Sequence, residues 1–240
     1  MNDHEKPFLD HIEDLRWAIL KCAAAIGAGS VIGVLGIGQV MEMIRWPLKQ
    51  AQGHLPTPHP STLLALQVTD PMTVTLQIGI GAGILLSLPA VLFFIGQYLL
   101  PAFAVGAALF LSGASFCYFL VLPQALRFFQ DFNQWLGLET SWTMASYTDF
   151  VLQMLVGFGL SFELPLVMVI LARLGILQKA VVVAHRRHAI VVLLVVAACV
   201  TPTSDPFNLA LMFVPLYGLF ELGLMGMGWA ERKRRGAISG

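Results

Sequence analysis

Four stretches of this chain stay apolar long enough to cross a lipid bilayer, which limits its fold more than any motif does. They begin at Trp17, Pro71, Ala102 and Phe150 and end near Met41, Leu100, Leu122 and Ala172. A crossing helix needs roughly 20 apolar residues at about 1.5 Å rise each. A fifth run, Ala189 to Val200, is shorter. Thr201-Pro202-Thr203-Ser204-Asp205-Pro206 then interrupts the chain before a sixth run, Phe207 to Trp229. The short run reads either as a short helix in a thinned bilayer or as half of a re-entrant hairpin. The expected fold is all-α and polytopic, one membrane domain over 1–240 with spans at 17–41, 71–97, 102–123, 149–172, 188–201 and 207–228. Composition agrees. Only 12% of residues are charged, against about a quarter in a soluble domain, so too little polar surface exists to cover a water-soluble globule.

The distribution of basic residues sets the expected orientation. Arg173, Lys179, Arg186 and Arg187 lie between the fourth and fifth runs, Arg232 to Arg235 follows the sixth, and Lys6, Arg16 and Lys21 flank the first. With these on the cytoplasmic side, only Arg45, Lys49 and Arg127 remain outside, as the positive-inside rule requires. Both ends are then cytoplasmic. The stretches Glu42 to Asp70 and Gln124 to Asp149 face outward as polar segments, the second with interfacial Trp135, Trp142 and Tyr147. Asp70-Pro71 and Asp205-Pro206 each read as a helix N-cap followed by proline at the first helical position. Pro89, Pro123, Pro165 and Pro215, in or beside apolar runs, are expected to kink helices. The acid-rich Met1 to Arg16 lacks the basic n-region and cleavage site of a secretory signal, so the first run is expected to be retained as a span. A net charge of +0 gives nucleic acid no electrostatic footing. Cys22, Cys117 and Cys199 sit in apolar runs without metal spacing, and neither a metal nor a cofactor is expected.

Three groups of residues stand out chemically. Phe8, Ile12, Leu15 and Ile19 share one helical stripe, with Asp10, Glu13 and Asp14 on other faces. That juxtamembrane face fits either a guanidinium held bidentately by carboxylates or a merely solvated acidic surface. Glu163, inside the fourth run, and Glu221, inside the last, are carboxylates at membrane depth, where such residues usually mark a pathway or partner site. The alternative is a structural acid satisfied within the bundle. Ser112, Ser115 and Ser161 could suggest an intramembrane hydrolase, but all six histidines lie in polar ends and loops, leaving no buried base. No catalytic residue is expected.

His11-Ile12-Glu13-Asp14-Leu15-Arg16, Trp46-Pro47-Leu48, Leu88-Pro89 through Tyr98 to Pro101, and Phe119-Leu120-Val121-Leu122-Pro123 occur in that order. Phe158-Gly159-x-x-Phe162-Glu163-Leu164-Pro165, Thr201-Pro202-Thr203-Ser204-Asp205-Pro206 and Phe220-Glu221 follow. This ordered set, spanning nearly the whole chain, resembles the TatC family of twin-arginine protein translocases. The resemblance implies six helices, the last two short, in a concave glove-like bundle. It implies a receptor for folded proteins bearing twin-arginine signal peptides, assembly with TatA-like and TatB-like single-span partners, and self-association. Transport would draw on the protonmotive force of a bacterial inner membrane or an equivalent energised membrane. Carried over by motif, Glu13, Asp14, Arg16, Tyr98 and Glu163 would meet the signal peptide. Phe8, His11, Leu15, Pro47, Phe158, Phe162, Pro165, Thr201, Pro202, Asp205 and Glu221 would be structural or partner-contact positions.

The chain also departs from that pattern. The loop of type Pro-Gly-Leu-x-x-x-Glu-Arg-Arg usual between the second and third helices is missing, since Pro101-Ala102-Phe103 runs almost directly into the next apolar run. With it goes the second signal-binding glutamate, for which Glu13 beside Asp14 is a substitute. The usual lysine of helix two is Gln77, and the polar glutamine expected early in helix six falls on Leu209. Two rival functions follow: a TatC paralogue that has lost export, and a proton-coupled small-solute transporter using Glu163 and Glu221. The transporter predicts an internal repeat, and none is visible.

Overall fold

The computed structural model describes residues 6–52, 63–67, 69–95, 100–201 and 205–238, with side chains at 17, 20–52, 63–67, 69–87, 105–201 and 205–232. Ten α-helices follow one another among these residues: α1 Lys6–Leu35, α2 Ile37–Gln52, α3 Asp70–Ile95, α4 Leu100–Phe116, α5 Leu122–Trp135, α6 Met144–Phe162, α7 Leu164–Leu174, α8 Lys179–Ala184, α9 Arg186–Val200 and α10 Pro206–Ile238. No strand occurs among the described residues. A single isolated backbone pair joins Leu64 to the start of α6, its N–H donating to the Trp142 carbonyl at 3.0 Å and its carbonyl accepting from Met144 N at 3.0 Å.

By packing, the chain forms two compact units, Met1–Ile44 with Ala65–Ala107, and Arg45–Leu64 with Ala108–Gly240. The first is built on α1 against α3. Gly29 and Gly33 on α1 face Gly83 and Gly79 on α3, each pair four residues apart, so the helices run antiparallel with backbones in near contact. A Cβ at Gly29 would stand 2.9 Å from the Gly83 carbonyl oxygen. Small residues at this spacing are how helices pack in lipid, where water supplies no hydrophobic drive between them.

Long apolar helices occur in both units. Val105–Trp135, Met144–Leu174 and Pro206–Arg232 are each long and apolar enough to cross a membrane, and Leu20–Leu35 with Ile37–Gln52, bent by 84°, makes a fourth if the pair counts as one. The protein is therefore a multi-pass membrane protein. Large aliphatic side chains such as Leu111, Leu120, Val167 and Val214 lie exposed on these helices, where lipid rather than protein must cover them.

Several helices depart from the bounds expected of the sequence, each for a local reason. The first run does not continue to Met41: the helix breaks at Gly36, where the chain turns into α2. Residues 42–52 are helical, continuing α2, although they read as part of a polar outer segment. Ile44, Pro47, Leu48 and Ala51 form a buried stripe at helical spacing, while Glu42, Arg45 and Lys49 occupy the exposed face. The third run passes Pro123 without interruption. A π-helical turn, Cys117–Val121, leads into α5, which puts the proline in a first turn where its missing N–H costs little. The helix then continues to Trp135. At 31 residues, Val105–Trp135 is about 46 Å long against a hydrocarbon core of about 30 Å, so it projects well beyond the bilayer. The fifth run is one helix of 15 residues, about 22 Å, shorter than a full crossing. Asp205 caps α10 as expected, its Oδ1 accepting from Asn208 N at 2.8 Å. Asp70 does not cap α3. Its Oδ2 accepts from Leu66 N at 2.7 Å and Gln67 N at 2.9 Å, so the carboxylate pins the preceding loop.

Candidate functional site

Glu163 stands at the break between α6 and α7. Pro165 follows at the first turn of α7 and has no N–H to continue the ladder of α6, so the Glu163 N–H bonds the Leu160 carbonyl at 3.1 Å in a tighter turn. Phe158 is buried, and Phe116 packs its ring against both Phe158 and Phe162 at centroid distances of 6.1 and 5.8 Å. Gly113 lets the neighbouring helix close onto this wall, since a Cβ there would sit 2.7 Å from the Phe162 ring. Gly159 does the same beneath Phe110. The motif Phe-Gly-x-x-Phe-Glu-Leu-Pro is thus one packing device: aromatic walls, a glycine for close approach, and a proline that opens the helix beside the acid. Oε1 of Glu163 is buried with no hydrogen-bond partner. An unpaired buried polar atom costs about 1–3 kcal/mol, so the acid is unsatisfied where it stands.

Glu221 is the opposite case. Arg186 Nη2 donates to both of its oxygens, at 2.6 and 2.5 Å. The two acids stand at nearly the same level. Gly223 meets Pro165 and Met168, and Gly226 meets Val169, so α7 and α10 run parallel with Glu163 and Glu221 each two residues before the first of these contacts. α9 runs the other way, its start at Glu221 through Arg186 and its end at α6, where Gln153 Nε2 donates to the Val200 carbonyl at 3.3 Å. Sequence placed both carboxylates at one depth; the tertiary structure separates them into one paired and one unpaired group.

The other expected positions divide by what is described. Glu13, Asp14 and Arg16, with Phe8, His11 and Leu15, lie in the first turns of α1, continuous with the helix that follows, and their side chains fall outside the described residues. Tyr98 and Pro202 lie outside the described residues entirely. Pro47 is buried inside α2, next to Trp46, whose ring stacks on Tyr118 at 5.2 Å. Thr201 ends α9, its buried hydroxyl donating to the Ala197 carbonyl at 3.0 Å. Asp205 also accepts from the Asn208 side-chain amide at 3.0 Å.

Four buried polar residues escaped the sequence reading, Ser87 in α3 among them. Asn208, one position before Leu209, is fully buried early in α10. Gln130 and Thr148 are buried next in sequence to Phe129 and Asp149, which with Asn133, Trp142 and Gln153 help to line an open cavity of about 490 Å³. Both belong to the stretch taken for a polar outer segment, so neither signalled burial.

A model of the Sec-independent protein translocase protein TatC matches residues 10–215. The Sec-independent protein translocase protein TatC of Akkermansia muciniphila is 36% identical over 72% of this chain, an alignment that spans 53% of the Akkermansia protein. That of Deinococcus radiodurans is 32% identical over 91% of this chain and 84% of its own length. A crystal structure of the twin arginine translocase receptor TatC superposes with a TM-score of 0.79 at 26% identity, covering 92% of this chain and 99% of the crystallised one. The family model over most of the chain and these alignments agree: the chain belongs to the TatC family of Sec-independent protein translocase proteins.

Proposed function

We propose that this chain is the receptor and core subunit of a twin-arginine protein translocase in the inner membrane of a bacterium or an equivalent energised membrane. Six spans form one membrane domain with both ends in the cytoplasm. Glu13 and Asp14 hold the arginine pair of a signal peptide by charge-assisted hydrogen bonds, and Arg16, itself a cation, contacts the peptide beside that pair. Its apolar part then passes Tyr98 and reaches Glu163, while TatA-like and TatB-like single-span proteins, and further copies of the chain, assemble around it. Transport draws on the protonmotive force and uses no nucleotide. The observation that carries this reading is Glu163: an unpaired carboxylate oxygen at a helix break offers an unused acceptor to an incoming segment.

A second reading is favoured by the short connection after α3. Only four residues separate Ile95 from Leu100, where α4 begins, which leaves no room for the usual acidic loop. The chain is then a TatC paralogue that retains the scaffold without export. Expression in a strain lacking its own TatC, with cognate partner subunits supplied, separates the two. Export of a folded twin-arginine reporter, lost in Asp14→Ala and Glu163→Ala, is the expected result. Stable insertion without export overturns the receptor and leaves the paralogue.

A further inference from the structure

Beyond Leu174 the chain leaves its membrane-spanning helix without turning polar. Gly175, at φ 77°, caps α7 in the left-handed conformation, and the segment that follows exposes Leu174, Ile176, Val181 and Val183, Ile176 at 71%. Four large aliphatic side chains uncovered by protein sit among cations, in the connection between α7 and α9. Both glutamates of α10 are already engaged. Glu221 pairs with Arg186, and Glu231 Oε1 accepts from the Lys179 backbone N–H at 2.6 Å. Lys179 itself lies over α10, where a Cβ on Gly228 would meet its Nζ at 3.0 Å. Arg173, Arg187 and Arg232 remain exposed, and none of them has a carboxylate partner among the described residues.

The geometry points to an anionic phospholipid site on this surface. The aliphatic side chains of 174–183 enter the acyl boundary, and Arg173, Arg187 and Arg232 take the headgroup phosphates. A segment mixing exposed aliphatic groups with unpaired cations at the end of a crossing helix matches the chemistry of the headgroup layer, apolar on one side and negative on the other. Water matches only the cations, and an acidic protein would have to bury the aliphatic groups as well. The site does not depend on whether the chain exports proteins.

Each cation near an anionic surface contributes roughly fivefold in affinity, so three contribute on the order of a hundredfold. The test is native mass spectrometry of the delipidated full chain titrated with phosphatidylglycerol and, separately, phosphatidylcholine. The expected result is preferential phosphatidylglycerol binding, weakened roughly a hundredfold in Arg173→Gln/Arg187→Gln/Arg232→Gln and unchanged in Arg45→Gln/Lys49→Gln. Ile176→Asn/Val181→Asn is expected to weaken it too, without altering the elution profile of the protein. Equal affinity in the triple variant overturns the site, as does an equal loss in the Arg45/Lys49 control. Displacement of the lipid by millimolar inorganic phosphate assigns the cations to free phosphate, and displacement by polyglutamate to an acidic protein; either overturns the lipid.

Discussion

Two glutamates at one level of neighbouring helices carry opposite energetics, and substitutions can separate them. Glu163 has an oxygen buried without a partner, whereas Glu221 is held by Arg186. Glu163→Leu removes an unsatisfied group of similar volume, so the thermal midpoint in detergent is expected to hold or rise, while reporter export is lost. A midpoint several degrees lower would mean that the carboxylate is satisfied after all. Glu221→Leu is expected to lower the midpoint, because it strands Arg186. With the pair part-exposed, at 46% and 29%, the loss is on the order of 1 kcal/mol. Adding Arg186→Leu should restore most of it, and a double-mutant cycle with no coupling term would contradict the ion pair.

At the level of the helix, packing in lipid is governed by which glycines touch a neighbour. Gly27 and Gly29 lie on the same helix, α1, yet a Cβ on Gly27 meets nothing within 4 Å, whereas one on Gly29 meets the backbone of Gly83. Backbone cannot rotate aside. Gly29→Ala is therefore expected to destabilise the α1–α3 contact by about 1–3 kcal/mol. Gly27→Ala, relieved of glycine's entropy cost, is expected to be neutral or to gain about 0.5–1 kcal/mol. Chemical-denaturation midpoints in micelles order the two variants, and equal effects would deny the close crossing. The capping of α10 gives a parallel case. Asp205→Ala removes the acceptor of Asn208 N and should cost about 1 kcal/mol, while Asp205→Asn keeps most of it.

For the molecule as a whole, the membrane reading and the proposed orientation are tested separately. Alkaline carbonate washing is expected to leave the protein in the vesicles, and its release as a soluble species would remove the basis of every argument made from lipid. Green fluorescent protein fused after Gly240 is expected to fluoresce, and alkaline phosphatase at the same point to stay inactive; the reverse pattern would invert the topology. By itself the sequence determined the class of fold, the existence of the long apolar helices, the depth of Glu163 and Glu221 and the cap at Asp205, because hydropathy over some 20 residues and local hydrogen-bonding chemistry are properties of short segments. The break at Gly36, the helical state of 42–52 and the continuation of the third run to Trp135 were decided only in three dimensions, since each depends on which face of a mixed segment finds a partner. So was the fate of the two glutamates. Which carboxylate is neutralised depends on an arginine 35 residues away, and no local pattern encodes a contact made by bringing α9 back against α10.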